Sequence, residues 1–242
     1  PFQGTGTLQQ GMESLPSALA LELGDRFHPD TPVTAVERSK NGWKLFLDGA
    51  YPTDTIQVDG VIMALPAFVA GRLLTPCFPR VAEALNQIPY ASMTLVQIGY
   101  DPESCSKRPD GFGFLVPRDQ GLPILGTIWS SSIFPWRAPD TKSLATIFLG
   151  GTRDPGVVDE SDRLLVDRAI SALQSVHGQG LIPVMTAVGK ATAAIPQQCL
   201  GHGKRVTTIR SELLSHPELV VAGGYMDGIS LESCARSGED AA

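Results

Sequence analysis

The sequence predicts an α/β layer interrupted by an α+β middle: pieces of a parallel sheet with helices bracket an inserted domain built on a mixed β-sheet. Three observations carry this reading. Val61-Ile62-Met63-Ala64-Leu65 is a continuous apolar run, as in a strand buried on both faces, and Pro66 ends it. Much later, 219–222 is a second apolar strand running into Gly223-Gly224, with a helix opening near Ser230. Between them, 93–100, 113–117, 124–131 and 144–150 all favour strands, in an order that suits an antiparallel or mixed sheet.

The elements follow in order. Met12, Leu15, Leu19 and Leu23 form a helical stripe, and Gly24 is its stop. Residues 31–38 read as a strand with Val33 and Val36 apolar, 43–47 alternate, and 56–58 are a partner. The turn Lys40-Asn41-Gly42 supports a hairpin there. A helix over 79–88 places Val81, Ala84, Leu85 and Ile88 on one face. Another over 161–176 turns Leu165, Ala169, Leu173 and Val176 inward, with Gly178 as its stop. Asp159, Glu160 and Asp162 mark its N-terminus, where carboxylates suit the dipole. The expected division is 1–75, then a β-rich domain over 76–185, then a C-terminal segment over 186–242.

Composition narrows the function classes. The 242 residues are 43% hydrophobic and only 18% charged, enough for a core and too few charges for disorder. A net charge of −6 without a basic cluster argues against nucleic acid. No run reaches transmembrane length and no signal peptide is visible. Cys77, Cys105, Cys199 and Cys234 lack C-x-x-C spacing and read as reduced thiols of a cytosolic protein. The chain starts at Pro1, and a loop leads straight into a helix with no opening strand, so a fragment or a processed chain is expected.

Hydrolytic and metal chemistry find no support. His28, His177, His202 and His216 are scattered, none at ligand spacing with another His, Cys or carboxylate. Ser130-Ser131-Ser132 reads as strand and turn rather than nucleophile, and His202 as a structural histidine rather than a proton donor. Gly4-Thr5-Gly6-Thr7-Leu8-Gln9 follows no strand and is rejected as a dinucleotide fingerprint. The terminal turn is different. Its glycines let backbone approach a flat ligand, and the helix start offers unpaired N–H groups to a ring edge that gains negative charge.

Several segments together resemble the oxygen-dependent protoporphyrinogen oxidases, within the flavin-containing amine oxidase superfamily. Residues 11–20 are similar to "GGM-x-x-L-x-x-A-L" and 59–67 to "D-x-V-I-x-A-x-P-A", both shared across the superfamily. The middle is more specific. Residues 111–117 resemble "GFG-x-L-x-P", 125–139 resemble "LGT-x-x-SS-x-x-FP-x-RAP", and Gly150-Gly151 followed by Arg153 continues the match. Residues 194–202 resemble "AIPQY-x-x-GH", and 228–238 resemble "GVSLPDC-x-x-SG". Gln10, Ala191, Gln198 and Gly224 depart from the pattern. The family's N-terminal strand–turn–helix, with the FAD pyrophosphate fingerprint, would lie upstream, so the resemblance is to the C-terminal half.

The resemblance implies a Rossmann-like FAD-binding domain in pieces around a substrate domain. It implies FAD as cofactor, with the backbone of Val33 near the adenine end and Ala64 and Pro66 packed near the cofactor. Gly223, Gly224, Gly228 and Ile229 would line the flavin, and Ser230 would open the helix whose amides face its N1–C2=O edge. For Ala64 and Ile229 the alternative is plain core packing. The implied substrate is a broad, apolar porphyrinogen, with Leu115, Phe134 and Ile98 packing against its pyrroles; sheet core is the alternative for each of the three. Arg137 is a candidate partner for a propionate, or simply part of a turn. No side chain is assigned an acid–base role, because the flavin carries the redox step.

The implied activity is FAD-dependent oxidation of protoporphyrinogen IX to protoporphyrin IX with O2, in haem biosynthesis, with the isolated stretch itself inactive. Two alternatives stand beside it: another flavin amine oxidase or desaturase, and a porphyrin-binding remnant without turnover. An amine oxidase would want an aromatic cage, for which Tyr225 is the best residue on offer. The expected setting is cytoplasmic, with peripheral association at the inner face of the cell membrane through the upstream region, and a homodimer compatible with the resemblance. Exposed sheet edge and apolar surface predict poor solubility for the stretch alone.

Overall fold

The computed structural model describes residues 6–49, 51–105, 110–178 and 180–242; the rejected segment 4–9 lies partly outside them. The chain divides into two compact units, Pro1–Pro89 with Gln198–Ala242, and Tyr90–Gln197. One unit is thus inserted into the sequence of the other, with its bounds at 90 and 197 where the sequence suggested 76 and 185.

The discontinuous unit begins with α1 (Ser14–Leu23), stopped by Gly24 at φ +54°. None of its residues is buried, so the apolar stripe of Met12, Leu15, Leu19 and Leu23 lies exposed. Next come β1 (Val33–Ser39), β2 (Gly42–Leu47) and β3 (Thr55–Val58), an antiparallel meander whose first turn lies at the expected hairpin. Trp43 on β2 is fully buried. A short parallel strand, β4 (Val61–Met63), leads through Pro66 into α2 (Ala67–Leu74), which the sequence reading did not anticipate, and α3 (Pro79–Asn86). Pro79 opens α3, where a missing N–H costs nothing.

The inserted unit is carried by β5 (Tyr90–Tyr100), β6 (Gly113–Leu115), β7 (Gly126–Ile128), the single turn α4 (Ser130–Ile133), β8 (Ser143–Gly150), α5 (Asp162–His177) and β9 (Pro183–Pro196). The strand order is β6-β7-β8-β5-β9 and every pairing is antiparallel, which corrects the expected mixed sheet. The end of the strand expected over 124–131 is instead the helical turn α4. Ser161 caps α5, its hydroxyl accepting from the Leu164 N–H at 3.4 Å. Leu165, Ala169, Ala172 and Leu173 of α5 pack on Val96, Ile98 and Tyr100 of β5 and on Ala145, Ile147 and Leu149 of β8. Among the described residues, only one face of the sheet is covered in this way.

The chain then returns to the first unit through α6 (His202–Leu213), β10 (Leu219–Val221), the single turn α7 (Gly224–Asp227) and α8 (Leu231–Glu239). β10 pairs in parallel with β4, Leu219 opposite Val61 and Val221 opposite Met63. Val206, Ile209 and Leu213 are the buried face of α6, which packs on α3 beside an Arg80–Glu212 ion pair of 2.8 Å. Among the described residues, no helix is long and apolar enough to cross a membrane.

An ionic link fastens the meander to the parallel pair. Arg38 of β1 reaches Glu218 at 2.9 Å, and His216 Nδ1 lies 3.5 Å from the same carboxylate. The Glu218 backbone N–H, with Arg38 and His216, holds this carboxyl below its ordinary 4.5. A lowered carboxyl pKa stabilises the fold above the ordinary value, and that stabilisation is lost as pH falls through the lowered one. Glu218→Gln should therefore lower the melting temperature at neutral pH, and the gap to wild type should close in strong acid. Thermal melts across pH check this; a gap that widens in acid would refute the assignment.

Candidate flavin and substrate surfaces

In the discontinuous unit the geometry centres on the carboxyl ends of β4 and β10. Because the two strands run parallel, both end at the same edge, and the Ala222 N–H still donates to the Met63 carbonyl at 3.1 Å. Beyond that bond the chains part into Ala64-Leu65-Pro66 and Gly223-Gly224. This is the edge at which open parallel sheets bind ligands. Ala64 and Pro66 are exposed there, Gly223 and Gly224 partly so. Gly223 sits at φ +141°, a conformation closed to other residues, and its N–H donates to Ser237 Oγ at 3.1 Å.

The turn then leads to a helix start. Gly228 stands at φ +135° and Ile229 is 58% exposed, so Ile229 is not a core residue. Ser230 is the N-cap of α8: its Oγ accepts from the Ser233 N–H at 3.0 Å and pairs with Ser233 Oγ at 2.8 Å. A first helical turn leaves backbone amides without intrahelical partners. The residues expected near a flavin therefore fall at two adjacent strand ends and the helix that follows. Val33 does not join them: it pairs with Leu47 in the separate three-stranded sheet.

In the inserted unit, the site follows from sheet register. One cross-strand row runs Leu115–Gly126–Phe148–Leu95–Gly189, and the next runs Gly113–Ile128–Thr146–Gln97–Ala187. Side chains alternate along strands, so these rows lie on the face opposite α5. Here Leu115 is 87% exposed, and it lies with Met93, Phe112, Leu125, Ile128 and Phe148 around an open cavity of about 510 Å³. Gly126, set between Leu115 and Phe148, keeps the floor of that cavity low.

The sequence-derived substrate residues fare differently. Leu115 lines the cavity. Ile98 is a correction: it is 0% exposed, on the α5 side of β5 with Val96 and Tyr100, and offers no surface to a ligand. Phe134 packs against Trp136, their rings tilted at 47° with 5.5 Å between centroids, and is not among the residues around the Leu115 cavity. Met93, Phe112, Ile128 and Phe148 were missed. For Phe148 the signal was present: if Ala145, Ile147 and Leu149 face the core, period-2 alternation sends Phe148 to the other face.

The known proteins similar to this chain bear on both surfaces. The family model of flavin containing amine oxidoreductases matches residues 2–242. The chain belongs to that family. Protoporphyrinogen oxidase 1 of spinach chloroplasts is 29% identical over 99% of this chain and 45% of its own length. Human protoporphyrinogen oxidase is 30% identical over 98% and 50%, and the coproporphyrinogen III oxidase of Propionibacterium freudenreichii is 32% identical over 97% and 43%. A crystal structure of a candidate protoporphyrinogen oxidase from Exiguobacterium sp. 255-15 superposes with a TM-score of 0.83 at 26% identity, covering 98% of this chain and 52% of that one. Reduced UDP-galactopyranose mutase shares the fold alone, with a TM-score of 0.72 at 13% identity. The chain spans about half the length of the curated relatives it matches.

As a flavin amine oxidoreductase family member, the chain can be tested against an FAD ring. The glycine-bearing end of β10 and the start of α8 supply backbone donors, and the two acidic residues of this segment, Asp227 and Glu232, are ion-paired to Arg210 and Arg236. That donor set suits a flat, electron-rich ring edge better than a metal. Among the described residues, no three His, Cys, Asp or Glu side chains converge on one point.

Proposed function

We propose that this chain forms the flavin-edge and substrate surfaces of an FAD-dependent protoporphyrinogen oxidase, which converts protoporphyrinogen IX to protoporphyrin IX with O2 as acceptor. The observation that carries the reading is the uncovered sheet face around Leu115. Its cavity walls are Met93, Phe112, Leu115, Leu125, Ile128 and Phe148, with Thr127 the one polar residue among them. A porphyrinogen is large, flexible and mostly apolar, and such a ligand needs area more than polar anchors.

The roles in this reading are these. Backbone at Ala64, Pro66, Gly223, Gly224, Gly228 and Ile229 holds the flavin, and the amides at the start of α8 stabilise its negative edge. Ser230 keeps that helix start in shape through its bonds to Ser233. Val33 offers strand backbone to the adenine end. A bound flavin supplies the two-electron acceptor. Leu115, Ile128 and Phe148 orient the macrocycle and keep water from it, and no side chain here is needed as acid or base. Among the described residues the cavity walls carry no cation, which favours protoporphyrinogen, with two carboxylates, over coproporphyrinogen III, with four.

The test is direct. Purified from its complete reading frame with flavin bound, the protein should consume O2 when given protoporphyrinogen IX and accumulate fluorescent protoporphyrin IX. Flavin that is reduced by a diamine and not by protoporphyrinogen would place the protein among amine-oxidising members instead. Porphyrin binding without any flavin would leave the non-catalytic alternative.

A further inference from the structure

We propose that Arg153 is a positioning residue for the apolar cavity: its guanidinium fixes the edge strand β6, and with it Leu115, against Leu125 and Phe148. The inference rests on the porphyrinogen reading of that cavity.

β6 needs such a device. It is three residues long, lies at the edge of the sheet and has β7 as its single strand neighbour. Strands this short and paired on one side are weakly held. Beyond its last residue the ladder continues through two irregular bonds. The Val116 N–H donates to the Leu125 carbonyl at 2.9 Å, and the Leu125 N–H donates to the Phe148 carbonyl at 2.7 Å. The Val116 carbonyl is then left over on a residue only 4% exposed. A buried carbonyl without a partner is costly, and Arg153 Nη1 donates to it at 2.7 Å.

The sequence explains how Arg153 gets there. β8 supplies Phe148 to the cavity and then ends in Gly150 at φ +98° and Gly151 at φ +66°. A Cβ at Gly150 would stand 2.7 Å from Val157 Cγ1 and 2.9 Å from the Ser92 carbonyl oxygen. At Gly151 it would stand 3.2 Å from Leu125 Cδ1. The pair makes a tight reversal that fits glycine, and the reversal turns Arg153 back toward the far end of β6. The Gly-Gly-x-Arg segment thus joins three walls of one cavity: Phe148 before the turn, Leu125 beneath it, and Leu115 next to the carbonyl that Arg153 holds.

The experiment measures protoporphyrin IX affinity by fluorescence, and amide exchange at residues 113–116, in the flavin-bound protein expressed from its complete reading frame and in its variants. Arg153→Ala should weaken binding about tenfold, equal to roughly 1.4 kcal/mol, and speed exchange at 113–116 selectively. Arg153→Lys keeps one donor and should restore most of both. Lys142→Met cuts a different bridge of this unit, to Asp101 at 3.1 Å, and should leave both unchanged. Wild-type affinity and exchange in Arg153→Ala would overturn the proposal, as would faster exchange with unaltered affinity. A wild-type chain that binds no porphyrin would instead sink the porphyrinogen reading, while the exchange data still decide whether Arg153 holds the strand.

Discussion

Gly113→Ala should abolish the cavity while leaving most of the inserted unit folded. Gly113 sits at φ +149°, and a Cβ there would stand 2.0 Å from the Thr127 carbonyl oxygen, 2.9 Å from its carbon and 3.0 Å from Ile128 Cα. All three are backbone atoms of the partner strand, so no side chain can swing away to make room. The pair Gly113–Ile128 must open, and with only two further pairs, Phe114–Thr127 and Leu115–Gly126, β6 has little left to hold it. Strain at such a position costs about 1–3 kcal/mol before any lost pairing is counted. The expected result is rapid amide exchange over 113–116 and a loss of porphyrin affinity of about a hundredfold or more, on the scale of burying one or two large side chains. Gly156→Ala is the control: nothing lies within 4 Å of its added Cβ, so its effect should stay within about 0.5 kcal/mol. Tight binding by Gly113→Ala would mean that the ligand does not use the β6 side of the sheet.

What the sequence could and could not reveal follows from how each element earns its stability. β5, β8 and α5 are held by burial, so their apolar periods are visible: Ala145, Ile147 and Leu149 alternate, and Leu165, Ala169 and Leu173 recur at helical spacing. β9 is the longest strand, yet it was not read as one. Its run contains Gly189, Lys190 and several alanines, and nearly every residue is exposed or half-exposed. Backbone pairing to β5, from Tyr90–Pro196 to Tyr100–Pro183, specifies it instead, and pairing leaves no apolar signature. α6 hides for a related reason, with Gly203, Thr207 and Thr208 diluting a stripe of only Val206, Ile209 and Leu213.

The sites divide along the same line. The glycine turn after β10 was legible because it is local: strand, glycines and capped helix follow one another within a dozen residues. The cavity is not local. Leu115, Ile128, Phe148 and Met93 come from four strands, and only the register brings them to one face. Nor does a strand say which of its two faces is covered. β5 carries Leu95 on one face and Val96 and Ile98 on the other, and the choice is made by α5, which packs on the second. Ile98 was assigned to a ligand for want of that fact.

The two faces of the inserted sheet should therefore separate stability from binding. Ile98→Ala empties a fully buried site under α5 and should cost about 2–5 kcal/mol of unfolding free energy. Measured well below its melting point, that variant should bind porphyrin as wild type does, because nothing on the open face has changed. Leu115→Ser is the mirror image. At 87% exposure Leu115 has almost no burial to lose on mutation, so stability should stay within about 0.5 kcal/mol. A porphyrin that covers the side chain would, however, lose about 1.5–3 kcal/mol of contact, a drop in affinity of roughly tenfold to a hundredfold. Urea melts and porphyrin titrations on the two variants give four numbers, and the porphyrinogen reading requires the crossed pattern. If Leu115→Ser instead unfolds the unit and keeps its affinity, Leu115 serves packing against a surface of the protein itself, and the open face is not a substrate site.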